Sequence, residues 1–245
     1  MHRDETILIT GSARGIGASI AVLAAEKGIN VCIHYHTAQE SAEALAYQIE
    51  KLGVKSAVCQ ADLKNQEDLE KLFKTLDKSF PPLKYFVNNA TAVNSRKSFE
   101  ELTLDEIRAV FEVNFFGASL CLKEAIKRMK INKQGSIVNI SSQVACFGGN
   151  KLTAYASSKG AINSLTIALA KELGCFNIRV NAISPGVIAT HQHTDKSTEW
   201  IEQVKRQIPL ERLGTPDEIA RVVLWLLSDE SSYLTGTIIP VTGGR

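Results

Sequence analysis

The strongest constraint on the fold is an alternation. Short runs rich in Val and Ile recur along the chain, and a longer stretch with helical periodicity follows nearly every one. Thr6–Thr10, Val31–Tyr35, Ser56–Ala61, Tyr85–Asn88, Ser136–Ser141, Arg179–Ile183 and Thr237–Val241 read as strands. Gly15–Lys27, Gln39–Leu52, Asn65–Ser79, Leu104–Lys130, Thr153–Leu173 and Pro216–Leu227 read as helices. Strands joined through helices run parallel, and strands this uniformly apolar are buried on both faces. The expected fold is α/β: a doubly wound, Rossmann-type parallel sheet of about seven strands with helices on both faces.

At 245 residues and 44% hydrophobic content, the chain has enough apolar surface for one continuous core, so a single domain over 1–245 is expected. Ala189–Gln207 is the least regular and most polar stretch, and Glu199–Ile208 reads as a short helix within it. A segment around 189–210 is therefore expected to act as a substrate lid, because loops beyond the carboxyl ends of such strands carry ligands. Trp200, Ile201, Val204 and Ile208 form one apolar face of that helix, suited either to covering an apolar substrate or to packing on the body.

Charge and composition narrow the function. A formal net charge of +2, with basic residues scattered among acidic ones, argues against a nucleic-acid partner. Met1-His2-Arg3-Asp4-Glu5 is polar and runs directly into a strand, so no leader and no membrane contact are expected, and the chain reads as cytoplasmic. Cys32, Cys59, Cys121, Cys146 and Cys175 contain no CxxC pair and read as reduced, mostly packing thiols. His191-Gln192-His193 lacks an accompanying acidic or cysteine cluster, so no metal is expected.

Thr10-Gly11-Ser12-Ala13-Arg14-Gly15-Ile16-Gly17 follows the first strand and opens the first helix, the context a dinucleotide fingerprint requires. Gly11 permits the tight turn, Gly15 lets backbone approach a pyrophosphate, and Gly17 allows close helix packing, while the helix N-terminus attracts phosphate. The second strand ends Cys32-Ile33-His34-Tyr35-His36, with no carboxylate to hold a ribose 2′-hydroxyl. Arg14, helped by His34 or His36, is placed to meet a 2′-phosphate instead, so NADPH (NADP+) is expected over NADH. The alternative is that Arg14 is a solvated turn residue.

Tyr155 and Lys159 stand four apart, one helical turn on the same face, so an ammonium can lie close to a phenol and favour its ionised form. Moving a tyrosine from about 10 to about 7 needs roughly 4 kcal/mol, which Lys159 and an oxidised nicotinamide together can supply. Ile162, Leu165, Leu169 and Leu173 make an apolar stripe that steps back onto Lys159 and Tyr155, so the lysine faces inward. Asn114 lies within another apolar face, formed by Ile107, Val110, Phe111, Phe115, Ala118 and Leu122, and a buried amide needs partners. Those partners are either catalytic or simply neighbouring backbone. With Ser142 just upstream, the set points to hydride exchange between a carbonyl and an alcohol.

Taken together, TGSARGIG, Asp62, Asn88-Asn89-Ala90, Asn114, Ser142, Tyr155-Ala156-Ser157-Ser158-Lys159 and Ser184-Pro185-Gly186 make the chain resemble the short-chain dehydrogenase/reductase family over almost its full length. Ile208-Pro209-Leu210, Arg212-Leu213-Gly214-Thr215-Pro216 and Thr235-Gly236 are similar to the bacterial 3-oxoacyl-[acyl-carrier-protein] reductases in particular. The resemblance implies that Tyr155 is the general acid in reduction and that Ser142 donates to the substrate oxygen. It implies that Lys159 holds the nicotinamide ribose and lowers the Tyr155 pKa, and that Asn114 anchors a water in a proton relay. Gly11, Ser12, Arg14, Gly15, Ile16 and Gly17, then His34 and Tyr35, then Asp62 and Leu63, then Asn89 and Ala90 are expected along the cofactor. Asp62 would meet the adenine edge, although from sequence alone it serves equally as the N-cap of the next turn. Pro185, Gly186, Ile188 and Thr190, after the sixth strand, would line the nicotinamide side.

Two departures stand out. Thr91 follows Asn88-Asn89-Ala90 where the family most often has Gly, and Phe176 occupies a position usually basic in carrier-protein reductases. Arg128, Lys130 and Lys133 remain as a basic cluster near the other expected docking surface, so an acyl carrier protein as partner is left open. The expected substrate is a small-molecule ketone or acyl thioester, a 3-oxoacyl thioester first. A dehydrogenase of another secondary alcohol, such as a sugar or steroid, is the alternative, and a non-catalytic nucleotide-binding protein the third. The resemblance also implies a homotetramer or homodimer, paired through the two long helices.

Overall fold

The structure, a computed structural model, describes residues 4–93, 96–190 and 197–245. Seven strands, β1 (Thr6–Ile9), β2 (Asn30–Tyr35), β3 (Ser56–Gln60), β4 (Leu83–Asn88), β5 (Gly135–Ile140), β6 (Ile178–Pro185) and β7 (Ile238–Val241), form one sheet in the order β3-β2-β1-β4-β5-β6-β7. Every neighbouring pair is parallel. Because β1 pairs with β2 on one side and β4 on the other, the chain winds outward in both directions and a crevice opens at their carboxyl ends.

Helices α1 (Gly15–Glu26), α2 (Gln39–Glu50), α3 (Gln66–Ser79), α4 (Leu104–Phe111), α5 (Ala118–Asn132), α6 (Val144–Phe147), α7 (Thr153–Leu173), α8 (Thr198–Lys205) and α9 (Pro216–Leu227) complete the fold. Side-chain alternation along β1 divides the core: Ile7 and Ile9 pack with Ile20, Ile49 and Val223 on one face. Leu8 points the other way and joins Phe73, Leu122, Met129 and Leu173. The buried thiols of Cys32 and Cys59 sit on this second face, 3.8 Å apart, and all five cysteines are free. Among the described residues, no helix is long and apolar enough to cross a membrane.

The structure departs from the sequence pattern in three places. The helix expected over Leu104–Lys130 is not continuous: Glu112–Gly117 forms a π-helical turn between α4 and α5. Its cause is Asn114, which is tied by four hydrogen bonds to other parts of the fold, and the wider turn accommodates that pull. β6 runs further than expected, so Pro185 is its last residue rather than part of the following loop, and it pairs in register with Val241. The helix expected over Glu199–Ile208 is shorter than that; α8 ends at Lys205, and Ile208 lies in the turn beyond it. Val204 and Ile208 are buried, and Ile208 packs against Gly243, so these two serve packing, while Trp200 and Ile201 are partly exposed. His191-Gln192-His193 and the rest of 191–196 lie outside the described residues.

Candidate active site

A cavity of about 450 Å³ runs along the carboxyl ends of the strands, from the glycine turn past Asp62 to Tyr155 and Thr190. The turn is fastened from both sides. On one side Asn89 Nδ2 donates to the carbonyls of Thr10 and Gly11, both at 2.9 Å, while Thr10 Oγ1 accepts from the amides of Asn89 and Ala90 at 2.9 and 3.0 Å. Gly11 has φ +63°, and a Cβ there would lie 2.9 Å from Ala90 Cα, so both conformation and space require glycine. A Cβ on Gly17 would lie 2.6 Å from the Gly11 carbonyl and 2.7 Å from Asn89 Nδ2. Gly17 thus packs α1 onto the turn itself.

On the other side stands His34. Its Nδ1 accepts from the Gly11 amide at 2.9 Å, and its Nε2, which then carries the proton, donates to the Ala61 carbonyl at 3.1 Å. Burial holds the ring neutral by lowering its pKa to about 4. This corrects the expectation that His34 helps to bind a 2′-phosphate, because both nitrogens are engaged and the ring is uncharged. Ser12 is likewise internal: its amide donates to the His34 carbonyl and its hydroxyl accepts from the His34 amide. Arg14 remains at the cavity wall, its Nε donating to Ser41 Oγ at 3.2 Å, and His36 is exposed nearby along the same wall.

These residues fit a dinucleotide. Asn65, Thr103 and Thr215 cap α3, α4 and α9 with side-chain oxygens, whereas among the described residues no side chain caps α1 and no acidic residue lies in its first turn. The orphan amides at Gly15 and Ile16 therefore face the cavity as a ready anion site. Tyr35, Asp62 and Leu63 line the cavity further along. Asp62 caps the turn that follows it, while Asn65 caps α3: the Asp62 Oδ1 accepts from the Lys64 amide at 3.1 Å and its carbonyl from the Asn65 amide at 2.8 Å, and His36 and Lys64 lie 3.9 and 3.4 Å from its other carboxylate oxygen.

At the far end, Ser142, Tyr155 and Lys159 meet in the same cavity. Ser142 is held between two anchored neighbours, since the Ser141 amide donates to Ile183 and the Gln143 amide to Pro185. Lys159 faces inward as the apolar stripe requires, and its Nζ donates to the Ile140 carbonyl at 2.8 Å, 5.9 Å from the centre of the Tyr155 ring. Burial lowers its pKa to about 8. The same effect pushes the Tyr155 phenol above its ordinary value, against the hydroxyls of Ser142 and Thr91, which pull it down. The depressed tyrosine expected from the sequence is therefore not what the protein's own groups produce: desolvation outweighs the hydroxyls of Ser142 and Thr91, and the Lys159 head is turned to a carbonyl.

Asn114 is buried behind this pair. Its Oδ1 accepts from the Ala92 amide at 2.7 Å and from Thr91 Oγ1 at 3.2 Å; its Nδ2 donates to the Ala92 carbonyl at 2.9 Å and to Ser158 Oγ at 3.0 Å. Ser158 in turn donates to the Tyr155 carbonyl at 2.8 Å, which ties α7 to the π-helical turn. All four hydrogen-bonding positions of the Asn114 amide are filled by protein, so the side chain has none left for the relay water that the resemblance implies. Sequence reasoning missed Thr91, Ser158 and Ser41 as members of the site. Ser158 was visible inside the YASSK run, whereas nothing local marked Ser41.

Pro185, Gly186, Ile188 and Thr190 form the remaining wall. The Gly186 amide donates to Val241, the Ala189 amide to Gly214, and the Gly214 amide to Val187. The basic cluster lies elsewhere, and two of its three members are already committed: Arg128 makes two 2.7 Å bonds to Asp77 and reaches Glu124, and Lys130 lies 3.8 Å from Glu172 and over the Phe176 ring. Among the described residues, no group of three or more metal-ligating side chains converges.

The order of the strands, the uncapped α1 and the Ser142, Tyr155, Lys159 cluster define a nucleotide-dependent redox enzyme, and comparison with known proteins agrees. Residues 11–245 match the family described as Enoyl-(Acyl carrier protein) reductase, and the chain belongs to the short-chain dehydrogenase/reductase family. It is 37% identical over 243 residues to the "Uncharacterized oxidoreductase YgfF" of Escherichia coli (strain K12), covering 97% of this chain and 98% of that one. It is 36% identical over 246 residues to the 3-oxoacyl-[acyl-carrier-protein] reductase FabG of Staphylococcus aureus, covering 100% and 99%. The crystal structure of an NAD+-bound xylitol dehydrogenase superposes with a TM-score of 0.92 at 29% identity, covering 99% of each chain. The protein is an oxidoreductase of this family and binds a nicotinamide cofactor.

Proposed function

We propose that the protein is an NADPH-dependent reductase of ketones, with a 3-oxoacyl thioester as its substrate. The observation that carries the reaction is the convergence of Ser142 and Tyr155 in one cavity with a buried lysine beneath them. Bound in the cavity, the nicotinamide cofactor supplies the hydride. Tyr155 gives its hydroxyl proton to the carbonyl oxygen, and Ser142 donates a hydrogen bond to the same oxygen as charge develops there. The raised pKa of Tyr155 suits this direction, since it keeps the acid protonated at neutral pH. Lys159 holds the ribose on the nicotinamide side, and a water held at the Asn114 backbone links Lys159 to solvent as a proton relay. Asp62 receives the adenine edge, with Leu63 and Tyr35 beside it.

The preference for NADPH rests on Arg14, braced by Ser41, and on the lack of a carboxylate at the end of β2. The thioester rests on the full-length similarity to the Staphylococcus reductase. A second reading, oxidation of another secondary alcohol, is favoured by the similarity to xylitol dehydrogenase and by the committed state of Arg128 and Lys130, which leaves little free charge for an acidic carrier. We extend the proposal to the whole chain as one catalytic unit, with 189–210 as the lid, assembled as a homodimer or homotetramer. The exposed Phe99, Leu104 and Phe116 near α4 and the π-helical turn are the apolar surface such an assembly would cover. Elution at monomer mass in gel filtration would count against the assembly.

The deciding experiment follows NADPH oxidation by absorbance with an acetoacetyl thioester, with NADH in parallel. Turnover preferring NADPH supports the reductase and the role of Arg14. Binding of NADPH without turnover moves the assignment to another ketone or alcohol, and equal turnover with NADH removes the argument from Arg14.

A further inference from the structure

Thr91 stands where the family resemblance leads one to expect glycine, at the exit of β4, and it lines the cavity together with Ser142 and Tyr155. Its Oγ1 donates its single proton to Asn114 Oδ1 at 3.2 Å. That leaves the lone pairs of Oγ1 free to accept the O–H of a neutral Tyr155. Once the phenol gives up its proton, the requirement inverts, because a phenolate needs donors. Thr91 can meet the new requirement by rotating its hydroxyl. Asn114 Oδ1 is not stranded by this, since it keeps the shorter bond from the Ala92 amide at 2.7 Å. The other half of the Asn114 amide, donating to Ala92 and Ser158, holds the acceptor in place throughout.

We propose that Thr91 is a positioning residue for Tyr155: a hydroxyl that accepts from the phenol while it is protonated, donates to the phenolate after transfer, and uses Asn114 as its alternative acceptor. The exchange conserves protons. The phenolic proton leaves for the substrate oxygen, and the Thr91 proton only changes its acceptor. A glycine at this position has no group to do either. The downward pull of Thr91 on the Tyr155 pKa is consistent with the donor half of the exchange. The inference rests on the reading of Tyr155 as the acid.

The test is an ultraviolet tyrosinate titration of the purified full chain with oxidised nicotinamide cofactor present, taken as the difference from Tyr155→Phe so that one of the five tyrosines is isolated. Thr91→Val removes the hydroxyl at nearly constant shape. It should move the Tyr155 midpoint upward by about half a pH unit to one unit, the equivalent of one ordinary hydrogen bond. Thr91→Gly should do the same, and Thr91→Ser should restore the original midpoint. A Thr91→Val titration superimposable on the unmodified protein overturns the proposal, as does failure of Thr91→Ser to restore it. If Tyr155→Phe keeps full turnover of the acetoacetyl thioester, the acid assignment itself falls and the role of Thr91 with it.

Discussion

The glycine turn and the Tyr155 pocket occupy the two ends of one cavity, and both place polar groups away from water, but they handle the problem in opposite ways. Around the turn the polar side chains that fasten it are paired and uncharged: His34 is a neutral bridge from Gly11 to Ala61, and Asn89 and Thr10 close the circuit. At the other end two ionisable groups are held in surroundings that oppose their charge. Lys159 has a carbonyl for company rather than a carboxylate, and Tyr155 has only hydroxyls. The cofactor end is therefore built for rigidity, and the chemical end for reactivity. A nucleotide that is merely held needs fixed donors, whereas a proton that must move needs a group whose charge is not already settled.

The largest effect should separate the two ends cleanly. Tyr155→Phe removes the acid and should lower turnover by about two to four orders of magnitude, with nicotinamide cofactor affinity and thermal stability close to unchanged. Steady-state kinetics beside a cofactor titration checks this. An equal loss of cofactor binding would show that the two ends are not independent.

The next effect lies at the turn and falls on stability. His34→Leu would leave the Gly11 amide and the Ala61 carbonyl without their partner, two buried groups at about 1–3 kcal/mol each, and should weaken cofactor binding as the turn loosens. The pH dependence has a definite sign. His34 titrates near 4 when folded and near 6.5 as an unperturbed group, so below 6.5 the unfolded chain binds a proton that the folded one refuses. The contribution of His34 is complete above 6.5 and is lost as pH falls toward 4, reaching about 2 kcal/mol by pH 5. Urea unfolding at pH 7 and pH 5 should show that loss in the native protein and not in His34→Asn, whose side chain still accepts from Gly11 but does not titrate. Identical pH dependence in the two proteins would mean that His34 does not set acid stability.

What was legible in the sequence follows from the same physics. The strands were readable because residues such as Ile7, Leu8 and Ile9 are buried on both faces, and burial writes itself directly into apolar runs. The inward turn of Lys159 was readable because its stripe keeps helical period. The π-helical turn was not, since its cause is the bonding of Asn114 to Thr91 and Ala92, more than twenty residues away, and an apolar pattern carries no trace of it. His34 was misjudged for a related reason. A histidine beside a nucleotide site looks like a phosphate ligand until the fold shows that its two nitrogens are used on Gly11 and Ala61. Sequence periodicity reports which side chains are inside; it does not report which partners they find there.

The smallest effect is the sharpest test of the contrast, because its sign is unusual for a buried site residue. Lys159 titrates near 8 inside the protein against 10.5 as an unperturbed amine. At pH 7 the folded state therefore carries an ammonium that its surroundings oppose by about 3 kcal/mol. Lys159→Met fills a similar shape without charge and removes that opposition, but it also strands the Ile140 carbonyl, at about 1–3 kcal/mol. The balance should be a gain in stability of about 1 kcal/mol at pH 7, accompanied by a large fall in turnover. The gain should shrink as pH rises from 8 through 10.5, because the folded lysine sheds its proton first and the native protein recovers the stability its charge had taken away. Thermal unfolding of both proteins at pH 7 and pH 10 reads this directly. A variant less stable than the native protein at pH 7 would show that the lysine is paired well enough to hold the fold together, and the division into a rigid end and a reactive end would then have to be redrawn.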